Sequence, residues 1–371
     1  MPARDRPRVL HLSPTWFGEI SVIGGGERFP LELARAMRGR VPTRLVAFGG
    51  PPTTADAGGF PIEVARTWRH LRGRPYDAIG PGFIPALLWA DVVHCHQART
   101  GLTALATLLA RPLGKRVFVT DHGGGGVGWL RRARLGRWVH AHLAQSRFVV
   151  DTLPYTGRRT AIVHGGVDPQ VFAPSAAKAR GEVVFVGRLL PHKGIEHAIR
   201  ALPDDAHLGV YGRPADPDYA AFLRREAEGR AVTFHEDADD RELVQALSRA
   251  CVAVMPSVFE DFRGRHQEHP ELLGLAALEA MACGTAVVVS QAGGLPEVVD
   301  PSYGAVAPPG DAAALRAALL PFTSNPDHAA ACGARARERA LRDFTWSAVA
   351  HRCLAAYGYG PVPSPTKESI E

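Results

Sequence analysis

The sequence predicts an α/β protein of two doubly wound domains, and three observations carry that expectation. At 371 residues the chain exceeds what one hydrophobic core usually serves. Short Val/Ile/Leu-rich runs alternate with helix-patterned segments along its whole length. Those runs are continuously apolar rather than alternating, which marks strands buried on both faces of a parallel sheet. The alternation also occurs twice, the cycles separated by the Gly/Pro-punctuated stretch HGGVDPQVFAPSAAKARG at 164–181. We therefore place one domain at 1–172 and a second at 173–343. A C-terminal helix follows at 344–360, and then a Pro/Ser-rich, frayed tail at 361–371.

In the first cycle the expected strands are 9–12, 44–48, 62–65, 91–95, 117–120 and 161–164. In the second they are 183–186, 208–211, 232–235, 252–255, 286–289 and 305–307. The second cycle interleaves helices at 192–201, 218–228, 240–249 and 274–282, and residues 310–357 read as purely helical.

Composition bounds the class. Hydrophobic residues at 46% and charged residues at 22% describe an ordinary globular chain. The longest apolar runs fall far short of the ~20 residues that span a bilayer. The opening MPARDRPRVLHLSP leads straight into a strand without an apolar signal region, so a cytoplasmic address is expected. The five cysteines are scattered, without zinc spacing, and read as small core residues. The net charge of +6 leaves open a solvated basic surface, an anionic ligand, or peripheral attachment to the inner face of a membrane. Nucleic acid is not expected, because the basic segments are read as lacking interleaved aromatic platforms.

Ligands of doubly wound sheets bind beyond the carboxyl ends of strands, and five such loops carry chemistry. GGGER at 24–28 opens a helix, so Gly25 and Gly26 let backbone N–H groups approach an anion, with Pro30 expected in the first helical turn. TDHGGGGVG at 120–128 contains G-x-G-x-x-G, but after the fifth strand and without a following acidic residue at the required distance. There His122, at a strand end, is the better candidate for hydrogen-bonding a sugar. FVGRLLPHKG at 185–194 brings Arg188 and Lys193 to a helix start, two cations with no nearby carboxylate, which calls for an anion. PELLGLAALEAMACG carries Glu271 before a helix and Glu279 inside it; carboxylates read vicinal hydroxyls, and Glu279 stands in an apolar stretch where an unpaired charge is costly. SQAGGLPEVV at 290–299 offers Gly293 and Gly294 for close approach of backbone to ligand, or for a simple turn.

In order, GGGERFPLELARAM, DVVHCH, TDHG, HGGVDPQVF, FVGRLLPHKGIEHAIRAL and ELLGLAALEAMACGTAVVVSQAGGLPEVV resemble the retaining family 4 glycosyltransferases of GT-B fold. The likeness runs from about residue 8 to residue 357. It implies two Rossmann-like domains facing across a cleft, the first for acceptor and the second for a nucleoside-diphosphate sugar. FTWSAVAHRCLAAY resembles the helix that crosses back to the first domain. By the same resemblance Arg188 and Lys193 hold the donor diphosphate and Glu279 the ribose. Glu271 contacts the donor sugar, and His122 sits near the reacting carbon. Backbone at Gly274 and Leu275 meets phosphate or sugar, Gly25 and Gly26 lie beneath the diphosphate, and the base lies near Phe234, His235 and Glu236.

One departure is an insertion, VFEDFRGRHQEHP, between Pro256–Ser257 and Glu271. It carries Arg263, Arg265 and His266, which either touch a substrate or sit on a solvated loop. Asp237-Ala238-Asp239 matches a metal-binding D-x-D but reads as a helix cap.

The resemblance implies same-face transfer, the departing diphosphate taking the acceptor's proton, with no metal or other cofactor required. A hexose-type donor on UDP is favoured, GDP-mannose next, and the acceptor is a small-molecule or lipid-linked hydroxyl. The Ala/Arg/Gly/Pro-rich composition suggests a high-GC bacterium. The alternatives are a GT-B epimerase or phosphorylase, which donor-dependent glycosylation of an added alcohol separates, a nicotinamide dehydrogenase and a silent binding protein.

Overall fold

The computed structural model describes residues 6–14, 25–74, 77–123, 128–132, 134–153 and 159–360, without the side chains of Gly25, Gly26, Glu27 and Arg131. Gly24, residues 124–127 of the G-x-G-x-x-G at 123–128 and the 361–371 tail lie outside the described residues. The chain divides into two compact units, Met1–His164 with Trp346–Glu371, and Gly165–Thr345.

The first unit runs β1 (Val9–Leu12), α1 (Gly25–Arg38), β2 (Thr43–Gly49), β3 (Thr53–Ala57), β4 (Phe60–Arg66), β5 (Arg69–His70), β6 (Ala78–Ile79), α2 (Ile84–Trp89), β7 (Val92–His96), α3 (Gly101–Ala110), β8 (Arg116–Thr120), α4 (Trp129–Arg132), β9 (Ala141–Ala144), α5 (Arg147–Thr152) and β10 (Thr160–Ile162). Eight strands form one sheet in the order β10-β9-β8-β7-β1-β2-β4-β3. Every pairing is parallel except β3 against β4. β1 (VLHL) and β7 (VVHCH) are buried at every residue, their three histidines included. Strands β5 and β6 form a separate small ribbon. Pro30 lies inside α1 rather than in its first turn, because the helix begins at Gly25; the ring therefore denies a bond to the Gly26 carbonyl.

The second unit runs β11 (Glu182–Val186), α6 (Ile195–Ala201), β12 (His207–Tyr211), α7 (Pro217–Glu226), β13 (Val232–His235), α8 (Asp240–Arg249), β14 (Val252–Met255), α9 (Leu275–Ala282), β15 (Ala286–Ser290), β16 (Gly304–Ala307), α10 (Ala312–Thr323) and α11 (Pro326–Asp343). Its all-parallel sheet has the order β13-β12-β11-β14-β15-β16, the 3-2-1-4-5-6 arrangement of a Rossmann sheet. Val167 and Phe172 belong to this unit's core, whereas Val163 packs in the first, so the change of unit falls ahead of residue 172. The helix expected at 192–201 is interrupted: Pro191–Lys193 form a 3-10 turn and Gly194, at φ 61°, reverses the backbone before α6. A Cβ at Gly194 would lie 2.3 Å from the Pro256 carbonyl oxygen, so glycine is required there.

The chain returns to the first unit with α12 (Trp346–Ala356). Trp346 meets the Phe29 ring of α1 edge-on at 5.2 Å, and Val349, Ala350 and Cys353 join the same core.

Candidate functional site

In the second unit the strand order reverses between β11 and β14, and the loops leaving these two strands bear Arg188, Lys193 and Glu271. Such a reversal opens a crevice beyond the strand ends. The Lys193 ammonium and the Glu271 carboxylate form an ion pair there, with side chains 21% and 20% exposed. The sequence reading of two cations without a nearby carboxylate is thus corrected: parallel pairing of β11 with β14 brings an acidic residue 78 positions away onto the lysine. Arg188 remains exposed, with no ion pair among the described residues.

Glu271 is held by backbone. The Gly294 N–H donates to its carbonyl at 3.0 Å, and at Gly293, φ 62°, a Cβ would lie 1.9 Å from that same oxygen. The close approach these glycines permit is therefore made to Glu271. Gly274, at φ 94°, precedes α9 and sits against Leu295. Inside α9, Glu279 is buried. Leu275 packs against Gly165.

At the carboxyl end of β13, His235 stacks on Tyr211 with centroids 4.2 Å apart and planes 8° from parallel. The parallel register of β12 and β13 sets this pair directly opposite. Phe234 packs on the core, and Glu236 is paired with Arg224. Asp239 caps α8 in a reciprocal capping box with Glu242.

The insertion folds onto the start of α7. Arg263 reaches Asp216 at 2.7 Å and Asp218 at 3.0 Å, while Arg265 reaches Asp261 at 2.8 Å. Hydrogen bonds from Arg263 hold the Asp216 carboxyl at about 2, below the usual carboxylate range. Phe262 stacks on Phe222 at 4.7 Å. Both arginines are thus engaged within the unit.

In the first unit the strand order reverses between β1 and β7, and a row of histidines fills that place. His11 Nδ1 lies 3.1 Å from His96 Nε2, and His96 Nδ1 lies 2.9 Å from His122 Nε2. The His122 Nδ1 faces the Gln145 side-chain nitrogen, which also donates to the Asp121 carbonyl at 3.1 Å. At the other end His11 Nε2 faces the Met37 sulfur at 3.3 Å. An amide nitrogen only donates and a thioether only accepts, so the row has one direction. Gln145 donates to His122, His122 to His96, His96 to His11 and His11 to Met37. Each ring is accordingly the Nε2–H tautomer. Burial pushes His11 and His122 down to about 3 and His96 well below its ordinary value. Both ring nitrogens of His122 thus have partners within its own unit.

His11, His94 and His96 offer nitrogens within 4.8 Å of one another, a spacing that could hold a metal ion. Each of their nitrogens already has a partner, His94 meeting Thr120 at 2.8 Å and Tyr357 at 2.7 Å. This donor set is a completed hydrogen-bond network. Gly25 and Gly26 form the start of α1. The sequence reading missed His11, His96 and Gln145; the H-x-H spacing in DVVHCH, which sets two rings on one strand face, was the available signal.

A family model described as "Glycosyltransferase Family 4" matches residues 23–171, and one described as "Glycosyl transferases group 1" matches 168–339. The chain is 30% identical to the alpha-maltose-1-phosphate synthase of Mycolicibacterium smegmatis, over 72% of this chain and 79% of that one. It is 33% identical to the GDP-mannose-dependent alpha-(1-6)-phosphatidylinositol monomannoside mannosyltransferase of the same organism, over 66% and 70%. With the D-inositol 3-phosphate glycosyltransferase of Geodermatophilus obscurus the identity is 28%, over 96% and 92%. Among solved structures, the sucrose-phosphate synthase of Thermosynechococcus elongatus superposes with a TM-score of 0.74 at 20% identity, covering 95% of this chain and 98% of that one. The HepE protein of Anabaena with UDP-glucose gives 0.74 at 18% identity, covering 95% and 100%. The chain belongs to the GT-B glycosyltransferases of the group 1 and family 4 type, and it is a transferase of sugars.

Proposed function

We propose that the protein transfers a hexose-type sugar from a nucleoside-diphosphate sugar, UDP-linked before GDP-mannose, to a hydroxyl acceptor, with retention at the anomeric carbon. The observation that carries this reading is the Lys193–Glu271 pair at the strand-order reversal of the second unit, with Arg188 on the same β11 loop and without an ion pair among the described residues. A diphosphate placed there meets two cations, and the donor sugar's hydroxyls meet a carboxylate whose backbone is clamped. Arg188 and Lys193 would stabilise charge on the leaving diphosphate as the glycosidic bond breaks. The freed diphosphate oxygen takes the acceptor proton while the acceptor oxygen bonds the same face of the sugar. The reading invokes no metal ion, since the cations supply the charge.

Other roles follow the resemblance. Glu279 takes the ribose hydroxyls, Gly274 and Leu275 offer backbone near the phosphates, and the base lies by Phe234, His235 and Glu236, where the Tyr211–His235 stack gives it an aromatic edge. Gly25 and Gly26 bring the amino end of α1 toward anionic charge. His122 acts near the reacting carbon as a neutral group, because burial keeps its ring unprotonated; to bond the sugar it must exchange one of its two present partners. The acceptor is a small or lipid-linked alcohol, and no helix among the described residues is long and apolar enough to cross a membrane.

The test is incubation with UDP-, GDP-, ADP- and dTDP-hexoses and a panel of alcohols, followed by NMR of the product anomer. Retained configuration with one donor supports the reading. Inverted product, or interconversion of donors without glycosylation, refutes it in favour of another chemistry.

A further inference from the structure

The insertion at 258–270 is a built loop rather than a solvated one. Asp261 is buried, and its carboxylate accepts from the Arg263 N–H at 2.8 Å, the Arg265 N–H at 3.1 Å and the Arg265 guanidinium at 2.9 Å. The Asp261 N–H donates back to the Arg265 carbonyl at 3.0 Å, and Gly264 turns the chain at φ 71°. A buried carboxylate that gathers several donors fixes the loop around itself. The tip of this loop grips α7. Phe262 packs on two of its rings, with centroids 5.1 Å away for Tyr219 and 4.7 Å for Phe222, which helical spacing sets side by side. Arg263 forks onto Asp216, the N-cap of α7, at 2.7 and 3.2 Å, and reaches Asp218 at 3.0 Å.

Helix α7 in turn holds the backbone beside Lys193. The residue ahead of α6 is Gly194, which has no side chain to cap the helix it begins. The Tyr219 hydroxyl takes that place: it accepts from the Ile195 N–H at 2.9 Å and donates to the buried Glu196 carboxylate. On the other side of Lys193, the Val258 N–H donates to the His192 carbonyl at 2.9 Å. Lys193 is thus flanked by two anchors. One is made by the first residue of the insertion, the other by the helix that the insertion's tip grips. The last residue of the insertion, Pro270, is followed directly by Glu271, the partner of Lys193. One segment therefore borders both members of the ion pair.

We propose that the insertion is a positioning element for the Lys193–Glu271 pair, with Phe262 and Arg263 as its positioning residues. Both act through α7: they fix Tyr219, and Tyr219 fixes the backbone beside the lysine. The inference rests on the diphosphate reading of that pair and adds to it the residues that hold the lysine in place.

The full-length protein and its Phe262→Ala, Arg263→Ala, Phe262→Tyr and Glu268→Ala variants are compared in two measurements. The first is hydrogen exchange of peptides spanning 190–198, with those of β14 and β15 as an internal standard for the fold. The second is calorimetric titration with UDP and with GDP, following whichever nucleotide the wild-type protein binds more tightly. Both alanine variants at 262 and 263 should exchange about tenfold faster at 190–198, with β14 and β15 unchanged, and bind the nucleotide about tenfold more weakly. Phe262→Tyr keeps the ring, and Glu268→Ala alters an exposed residue of the same loop, so both should behave as wild type. Should an alanine variant fail to fold, Arg263→Lys, which keeps the charge without the fork, should show both effects at smaller amplitude. Weaker nucleotide binding with unchanged exchange would make the altered residue a direct ligand contact and overturn the positioning role. Faster exchange with unchanged affinity, faster exchange throughout the unit, or variants that match wild type in both measurements would overturn it too. Wild-type protein that binds neither UDP nor GDP sinks the diphosphate reading beneath, and the exchange data then decide the positioning role alone.

Discussion

The Lys193–Glu271 pair makes a sharp thermodynamic prediction. In the resting unit the two charges neutralise each other. Lys193→Ala therefore does more than remove a cation: it leaves the Glu271 carboxylate facing the site of an incoming diphosphate. Two unit charges about 4 Å apart interact by roughly 4 kcal/mol at an effective dielectric near 20. Side chains about one-fifth exposed reduce that through solvent screening, so we expect a coupling of roughly 1–3 kcal/mol, about a 5- to 150-fold effect. Isothermal titration of free UDP into wild-type protein, Lys193→Ala, Glu271→Gln and the double variant closes the cycle; UDP lacks the sugar, so any role of Glu271 toward sugar hydroxyls drops out. Lys193→Ala should bind UDP weakly, Glu271→Gln at least as tightly as wild type, and the double variant should recover much of the loss. Additive changes in log Kd, or a Glu271→Gln loss as large as that of Lys193→Ala, would refute the arrangement.

Three further outcomes follow from the same structure. The buried histidines refuse protons that the unfolded chain accepts below about pH 6.5, so stability should fall as pH drops from 6.5 toward the folded values of about 3 for His11 and about 4 for His142. At pH 5 His11 alone should cost about 2 kcal/mol, and urea midpoints unchanged between pH 7 and pH 5 would contradict its burial. Gln145→Glu replaces the donating end of the histidine row by an acceptor, so His122, His96 and His11 should switch to Nδ1–H or His122 should become charged. Long-range 1H–15N spectra of histidine-labelled protein would read the switch, and unaltered Nε2–H tautomers would disprove the assigned direction. Gly293→Ala places a methyl 1.9 Å from the Glu271 carbonyl oxygen and strains a left-handed residue, which should lower stability by more than about 1 kcal/mol. A melting temperature equal to wild type would mean the cradle is soft.

The strands of both parallel sheets were legible because an apolar run buried on two faces leaves an unbroken signature, as in AVVVS of β15. Two sheet strands were not. β3, TTADA, is an exposed antiparallel edge whose residues need no apolar character, and β9, AHLA, is too short and alanine-rich to stand out from a helix. Within the site, residue types could be read but pairings could not. Lys193 looked unaccompanied because its carboxylate arrives through strand order, which no local window contains. The direction of the histidine row depends on Gln145 and Met37, two residues unremarkable until the fold sets them at its ends.

The first unit is assembled from both ends of the chain. Its core includes Phe29 from α1 and Trp346, Val349 and Cys353 from α12, and the whole of the second unit lies between them in sequence. The second unit closes on itself: the Val167 N–H donates to the Phe344 carbonyl at 2.7 Å, and Val167 bridges Thr345. On a ribosome, the later-synthesised half can therefore finish folding first. The earlier half waits with the Phe29 face of α1 bare until the final helix emerges from the exit tunnel, and a chain that stops short of residue 346 would present that face to chaperones and proteases.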